Sequence, residues 1–419
     1  MARILVFTAI VLPLIAAQDI GPIAEVHPNL VTWKCTTQDG CRQQKTSVVL
    51  DFLSHSIHET GGSTPCYNGQ VNSTLCPDEA TCTQNCVVEG TDYASHGVQT
   101  SGSALTLHQY LNGNTVSPRL YLLDNKSQNY TMLHLLNQEV SFDVDVSTLV
   151  CGMNGALYLS EMSASGGRSS FSPAGASFGS GYCDAQCPIQ PWLNGAVNPD
   201  GLGACCNEMD LWEANALATQ LTPHPCTEPS IYACSGTGCG SNGVCDKPGC
   251  GFNPYALGNP NFYGYTGTVD TSQPFTVVTQ FISDDHTSSG TLTEIRRLYV
   301  QNGNVIQNAV AQASAGPVAG NSSITDKFCA TVDSAGFAPR GGLKTMGDAL
   351  ARGMVLVFSI WNDNSQFMNW LDSGNAGPCN STEGNPKIIQ ANDPGTHVTF
   401  SNIKWGDLGT TYPGRKDHD

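Results

Sequence analysis

The chain has 419 residues, a formal net charge of −17 and only 13% charged residues. So acidic a balance excludes nucleic acid and anionic membranes as partners, because both demand a basic face. Few charges, 44 glycines and abundant Ser, Thr and Asn suit a loop-rich β protein that works outside the cell on a neutral polymer.

Residues 1–17 read as a signal peptide: Arg3 opens it, residues 4–15 are apolar, and Ala16-Ala17 supply a small-residue exit. The apolar run is too short to span a bilayer, and no later stretch is long enough, so a secreted, extracellular protein is expected. The remainder, 18–419, reads as a single catalytic domain. No Pro/Ser/Thr linker, internal repeat or separate cysteine cluster marks a carbohydrate-binding module, and the tail from Thr410 reads as a frayed end. All 18 cysteines lie beyond the signal, between Cys35 and Cys379. An even count in a secreted chain points to disulfides. Zinc is disfavoured, because paired Cys-x-x-Cys and His-x-x-x-His spacings are missing. Asn72, Asn125, Asn129, Asn321 and Asn380 each begin a glycosylation sequon.

Strand signals dominate. In chain order they are SVVLDF (47–52), SALTLHQY (103–110), RLYLL (119–123), YTMLHLL (130–136), SFDVDV (141–146), GALYLSEM (155–162), FTVVTQFI (275–282), RRLYVQ (296–301), MVLVFSIW (354–361) and HVTFSNIKW (397–405). In SFDVDV, Phe142, Val144 and Val146 share one face and Asp143 and Asp145 the other. MVLVFSI is apolar on both faces, which predicts a central, covered strand. Helical patterns are few: 342–352, and a turn near 367–371. Many such strands between long polar loops predict an all-β fold, a sandwich or a barrel, whose long loops wall a groove.

The segment CCNEMDLWEAN (205–215) packs Glu208, Asp210 and Glu213 into six residues. On a regular strand Glu208 and Asp210 share a face and Glu213 points the other way. On a helix the five-residue offset separates the glutamates by roughly 140°. One extra residue near Leu211-Trp212, a β-bulge, returns Glu213 to the common face. Two charges about 5.5 Å apart repel by about 3 kcal/mol at an effective dielectric of 20, enough to keep one carboxyl protonated while another ionises. Glycoside hydrolysis needs that division, one proton donor and one nucleophile. The same pattern also describes a solvated acidic strand or a calcium site, and it does not rank the two glutamates. The vicinal Cys205 and Cys206 favour a rigid support.

CCNEMDLWEAN with LTPHPC (221–226) resembles the catalytic stretch of glycoside hydrolase family 7, the fungal endoglucanases and cellobiohydrolases. The resemblance extends to EVHPNLVTWKC (25–35), LCPDEATC (75–82), SPRLYLLD (117–124), GSGYCDAQCP (179–188), GMVLVFSIWNDNSQFMNWLDSGNAGPC (353–379) and FSNIKWGDLG (400–409). It is especially close to the endoglucanase I type. It implies a two-sheet antiparallel β-sandwich, a jelly roll of the concanavalin A kind with an open cleft. It implies retaining, endo-acting hydrolysis of β-1,4-glucosidic bonds in cellulose and related β-glucans, by a monomer without cofactor or metal. It makes Glu208 the nucleophile, Glu213 the acid/base and Asp210 the group that positions Glu208. His224 then lines the leaving-group side, while Tyr158, Asn154, Asp184 and Gln186 line the sugar sites beside the nucleophile. Trp361 and Trp370 resemble stacking platforms, since an aromatic plane covers the apolar face of a sugar; without the resemblance either could be a core residue. Its disulfides would be Cys35–Cys41, Cys66–Cys86, Cys76–Cys82, Cys151–Cys379, Cys183–Cys206, Cys187–Cys205, Cys226–Cys245, Cys234–Cys239 and Cys250–Cys329.

Departures bear on the mode of action. The connection from Trp370 to Cys379 is short, which implies that the roof of the cellobiohydrolases is missing. Ser54 and Ser56 stand where the family often has tryptophans, implying weak distal sites, and Ala256 replaces a frequent arginine. The loop between Cys226 and Cys250 is long and can cover one stretch. A cellobiohydrolase, or a sugar-binding lectin of similar fold, are the competing expectations.

Overall fold

The structure is a computed structural model that describes residues 19–333 and 335–413. The expected signal peptide, and the tail beyond Pro413, lie outside these residues.

Twelve strands carry the architecture: β1 (Asn29–Thr36), β2 (Gly40–Leu50), β3 (Arg119–Leu123), β4 (Gln138–Asp145), β5 (Met153–Ser160), β6 (Glu208–Ala214), β7 (Thr219–His224), β8 (Phe275–Ser283), β9 (Leu292–Gln301), β10 (Asn304–Gln307), β11 (Met354–Asn362) and β12 (His397–Asp407). They form one hydrogen-bonded path, β7-β6-β5-β11-β3-β2-β1-β12-β4-β8-β9-β10. Neighbours are antiparallel except β1 and β12, where Trp33 stands opposite Lys404 in a parallel pair. The path folds back on itself into the expected β-sandwich, and no closed barrel forms among the described residues. Aromatic side chains meet across the two layers. Phe358 of β11 lies 6.0 Å from Phe400 of β12, and Trp212 of β6 lies 6.3 Å from Phe142 of β4 and 5.8 Å from Phe275 of β8.

Period-two patterning explains which residues enter that core. β11 runs between β5 and β3, and every residue from Met354 to Ile360 is buried. Its Leu356, Phe358 and Ile360 enter the inter-layer core, while Val355 and Val357 join Val49, Tyr121, Ala156 and Tyr158 on the opposite face. Antiparallel sheets of this kind curve, and that second face becomes the floor of a cleft. Phe142 and Val144 of β4 point inward, as the alternation of SFDVDV requires.

The helix Gly342–Arg352 buries Leu343, Met346 and Leu350 along one stripe. Gly347 permits its close approach to β9, because any Cβ there would lie 2.6 Å from that of Leu292. All nine disulfides implied by the family resemblance are present, and no cysteine is free among the described residues. The tail departs from expectation as far as it is described. Thr411 is buried, and its N–H and hydroxyl both donate to Glu139, so the chain is docked there and not frayed.

Candidate active site

The site is built on β6. Its register slips against both neighbours: Asp210 faces Thr222 while Glu213 faces Gln220, and Met209 faces Leu159 while Trp212 faces Leu157. In each case three steps on β6 match two on the partner, so one residue is extra between Met209 and Glu213. This is a β-bulge, and it cancels the odd offset that would send Glu213 to the other face. Glu208, Asp210 and Glu213 all line a cleft of about 940 Å³ on the concave face.

Each carboxyl has its own partners. The Ala185 N–H donates to Glu208 Oε2 at 3.0 Å. Asn154 of β5 donates its Nδ2 to Glu213 Oε1 at 3.0 Å, while its Oδ1 accepts from the Ala214 N–H. His224 Nε2 lies 2.9 Å from Asp210 Oδ2, and its Nδ1 lies 2.8 Å from the Asp246 carbonyl oxygen. That carbonyl can only accept, so Nδ1 donates, and one proton lies between Nε2 and Asp210 whichever of the two carries it.

Burial dominates the electrostatics. It lifts Glu208 well above the usual carboxylate range, reinforced by the charges of Asp210 and Asp184 and opposed by His224 and the Ala185 N–H. It lifts Asp210 likewise, with Asp184 adding repulsion. Glu213 is pushed up to about 8 by burial and by Asp210, against His224 and the Asn154 amide. The cluster therefore cannot ionise throughout. Glu208 accepts a backbone N–H and Glu213 a side-chain amide N–H, so each carboxyl has one bond that favours its charged form against the burial.

The segment 183–187 faces the trio. Cys183–Cys206 and Cys187–Cys205 fasten it to the residues just before β6. Asp184 lines the cleft, accepts from the Tyr182 hydroxyl at 2.7 Å, and is raised by burial. Tyr158 of β5 lines the cleft and reaches the Tyr182 hydroxyl at 2.9 Å. Gln186 and Lys247 form a reciprocal clasp, Gln186 Nε2 to the Lys247 carbonyl at 2.8 Å and Lys247 Nζ to the Gln186 carbonyl at 2.7 Å. Through it the loop between Cys226 and Cys250 contributes Ser241, Lys247 and Pro248 to the cleft wall. Trp361 and Trp370 line the other end with their rings 6.3 Å apart and nearly parallel.

All the site residues read from the sequence thus line the cleft, except Asn154, which is buried behind Glu213. The sequence reading missed Arg119 and Tyr182. The Arg119 guanidinium stacks 3.5 Å above the Tyr182 ring and pairs with Asp51 Oδ2 at 2.9 Å. A signal was present, since Arg119 and Tyr121 fall on the same face of RLYLL. Ser56 lines a second depression of about 520 Å³ with His55, His58 and Tyr67. In the three clusters close enough to bind a metal among the described residues every cysteine is disulfide-bonded and offers no thiolate, and one of them adds Glu383.

A buried acid trio on one face of a concave sheet, in a cleft flanked by tryptophans, defines a polysaccharide-cleaving class of site. The chain belongs to Glycosyl hydrolase family 7, whose sequence profile matches residues 21–412. It is 62% identical to the "Probable endo-beta-1,4-glucanase celB" of Aspergillus terreus, over 97% of this chain and 97% of that one. Among solved structures, the native endocellulase EGI of Humicola insolens superposes with a TM-score of 0.90 at 44% identity, covering 94% of this chain and all (100%) of that one. A family 7 cellobiohydrolase from Daphnia pulex gives 0.88 at 38% identity, covering 94% and 100%.

Proposed function

We propose that the protein is a secreted, monomeric endo-β-1,4-glucanase that hydrolyses cellulose and related β-glucans with retention, without cofactor or metal. The observation that carries the mechanism is the bulge in β6, which gives Glu208, Asp210 and Glu213 a common face. Glu208 attacks the anomeric carbon, the bond from that carbon to the bridging oxygen breaks, and the oxygen takes the proton of Glu213. Glu213, now a carboxylate, removes a proton from water. The water oxygen attacks the same carbon, Glu208 departs as a carboxylate, and both groups are restored. Asp210, held by His224, orients Glu208; Asn154 fixes Glu213. Asp184, Gln186 and Tyr158 face the sugar on the nucleophile side, and Trp361 and Trp370 stack against sugar rings.

Endo action is supported by the short span after the helix Asn369–Asp372, where Ser373 already pairs with Cys379. The test joins two measurements. A 2-fluoro cellobioside should label the peptide bearing Glu208, and viscosity of a soluble cellulose derivative should fall steeply before many reducing ends appear. A label elsewhere sinks the nucleophile assignment. Viscosity that falls only in step with reducing ends favours the cellobiohydrolase reading.

A further inference from the structure

The bulge that brings Glu213 into the site leaves a defect in the sheet. β5 slips register between Met209 and Trp212 and β7 between Asp210 and Glu213, so Leu211 has no ladder partner on either neighbour. The Leu211 carbonyl is met from the opposite layer of the sandwich by Arg297 of β9, whose Nη2 donates to it. Arg297 is an unusual residue to find there. It is 3% exposed, and no carboxylate lies within ion-pair distance among the described residues. Its guanidinium carbon instead sits 5.7 Å from the ring centres of both Trp212 and Tyr299. Its Nε finds no hydrogen-bond partner, and neither does the neighbouring Trp212 Nε1. A buried cation without a counter-charge is costly, so its position calls for a local reason. The bulge supplies one, because a buried carbonyl turned out of its ladder needs a donor, and Arg297 is one.

We infer that Arg297 is a positioning residue for the acid/base: by capping the Leu211 carbonyl and bracing Trp212 it fixes the one-residue bulge, and so keeps Glu213 on the face of Glu208. A one-residue slip turns every side chain beyond it to the opposite face, so losing the cap misdirects Glu213 while Glu208 and Asp210, before the bulge, keep their places. The charges acting on Glu213 are those of Asp210 and His224, so Arg297 works through the backbone and not through its field. This rests on the assignment of Glu213 as acid/base.

The test uses the full enzyme with Arg297→Met, Arg297→Lys and, in parallel, Glu213→Ala. Turnover is compared on a dinitrophenyl cellobioside, whose leaving group needs no proton, and on a phenyl cellobioside, whose leaving group does. Azide is added as a nucleophile that attacks the glycosyl-enzyme without base assistance, forming a carbon–nitrogen bond as the ester to Glu208 breaks. For Arg297→Met the phenyl rate should fall about 10²-fold and the bond-breaking burst on the dinitrophenyl substrate less than about 3-fold. Azide should restore steady-state dinitrophenyl turnover with a glycosyl azide as product. Arg297→Lys, which keeps a donor and the charge but not the planar reach, should fall between. If Glu213→Ala shows this signature and folded Arg297 variants slow equally on both substrates without azide rescue, or match wild type, the inference about Arg297 is overturned. If Glu213→Ala itself lacks the signature, the acid/base assignment fails first and takes the inference with it. Should Arg297→Met not fold, Arg297→Lys alone decides, by the same split.

Discussion

At the scale of single residues the site is a problem of dividing protons among buried carboxyls. Glu208→Gln removes the proposed nucleophile and is expected to leave less than about 10⁻⁴ of the activity. Glu213→Gln should lose about 10²–10⁴ on cellulose, far less where the leaving group needs no proton. Rates on soluble substrates with good and poor leaving groups check both. The pH dependence follows from which form must exist. With Glu213 as the proposed acid, whose carboxyl burial and Asp210 push up to about 8, kcat/KM should decline as pH rises through about 8. The Asn154 amide opposes that rise. Asn154→Ala should therefore move the alkaline limb upward while lowering activity, because it also frees the orientation of Glu213. An alkaline limb unchanged in Asn154→Ala would contradict the assignment.

At the scale of elements, the support of the site is covalent as well as packed. The segment 183–187 supplies the Ala185 N–H to Glu208, and Cys183–Cys206 holds that segment to the catalytic strand. Replacing this pair by serines is expected to cost about 3 kcal/mol in denaturant unfolding. It should also cost about tenfold in kcat at temperatures where the variant is still folded, through loss of the aligned donor; stability loss with undiminished kcat would show that β6 positions Glu208 by itself. The same scale shows what could be read beforehand. RLYLL matches β3 and the helix Gly342–Arg352 matches its expected bounds, because both follow one clean period. SVVLDF marked only the end of β2, which begins at Gly40, since Cys41, Arg42 and Gln43 are exposed and carry no alternation. YTMLHLL yields only the two-residue strand Met132–Leu133; Leu133, Leu135 and Leu136 enter the main core without a longer ladder. The short helices Glu79–Asn85, Asp326–Val332 and Pro386–Asn392 escaped a search for periodicity because each has seven residues. Their N-caps, Asp78, Thr325 and Asn385, were the available signal. The bulge was legible only because the chemistry demanded it, and its cap from Arg297, 86 residues away from Leu211 in sequence, was not.

At the scale of the molecule, holding several buried acids in one cleft makes stability depend on pH. Carboxyls raised by burial, Glu208, Asp210 and Glu213 among them, bind protons in the folded state that the unfolded chain releases at ordinary carboxylate pH. Where the folded state binds more protons, stability falls as pH rises. For Glu213 that window runs from the ordinary glutamate value of 4.5 to about 8. Glu25 acts in the opposite sense. Burial works against its charge, but bonds from His55, Tyr93 and the Thr91 N–H hold it below the usual range, so its contribution is present above the unfolded value and is lost in acid. The two trends leave a maximum near the ordinary carboxylate range, about pH 4–5. The net charge of −17 adds self-repulsion on the alkaline side. A protein with nine disulfides is prone to irreversible unfolding, so the comparison belongs at one fixed scan rate. The wild-type unfolding temperature should drop between pH 5 and pH 8. Glu213→Gln, which never ionises, should unfold at least about 3 °C higher than wild type at pH 8 and within about 1 °C of it at pH 4.5. Parallel pH profiles for the two proteins would mean that Glu213 ionises as freely in the fold as in the unfolded chain, and that burial in the cleft does not hold its proton.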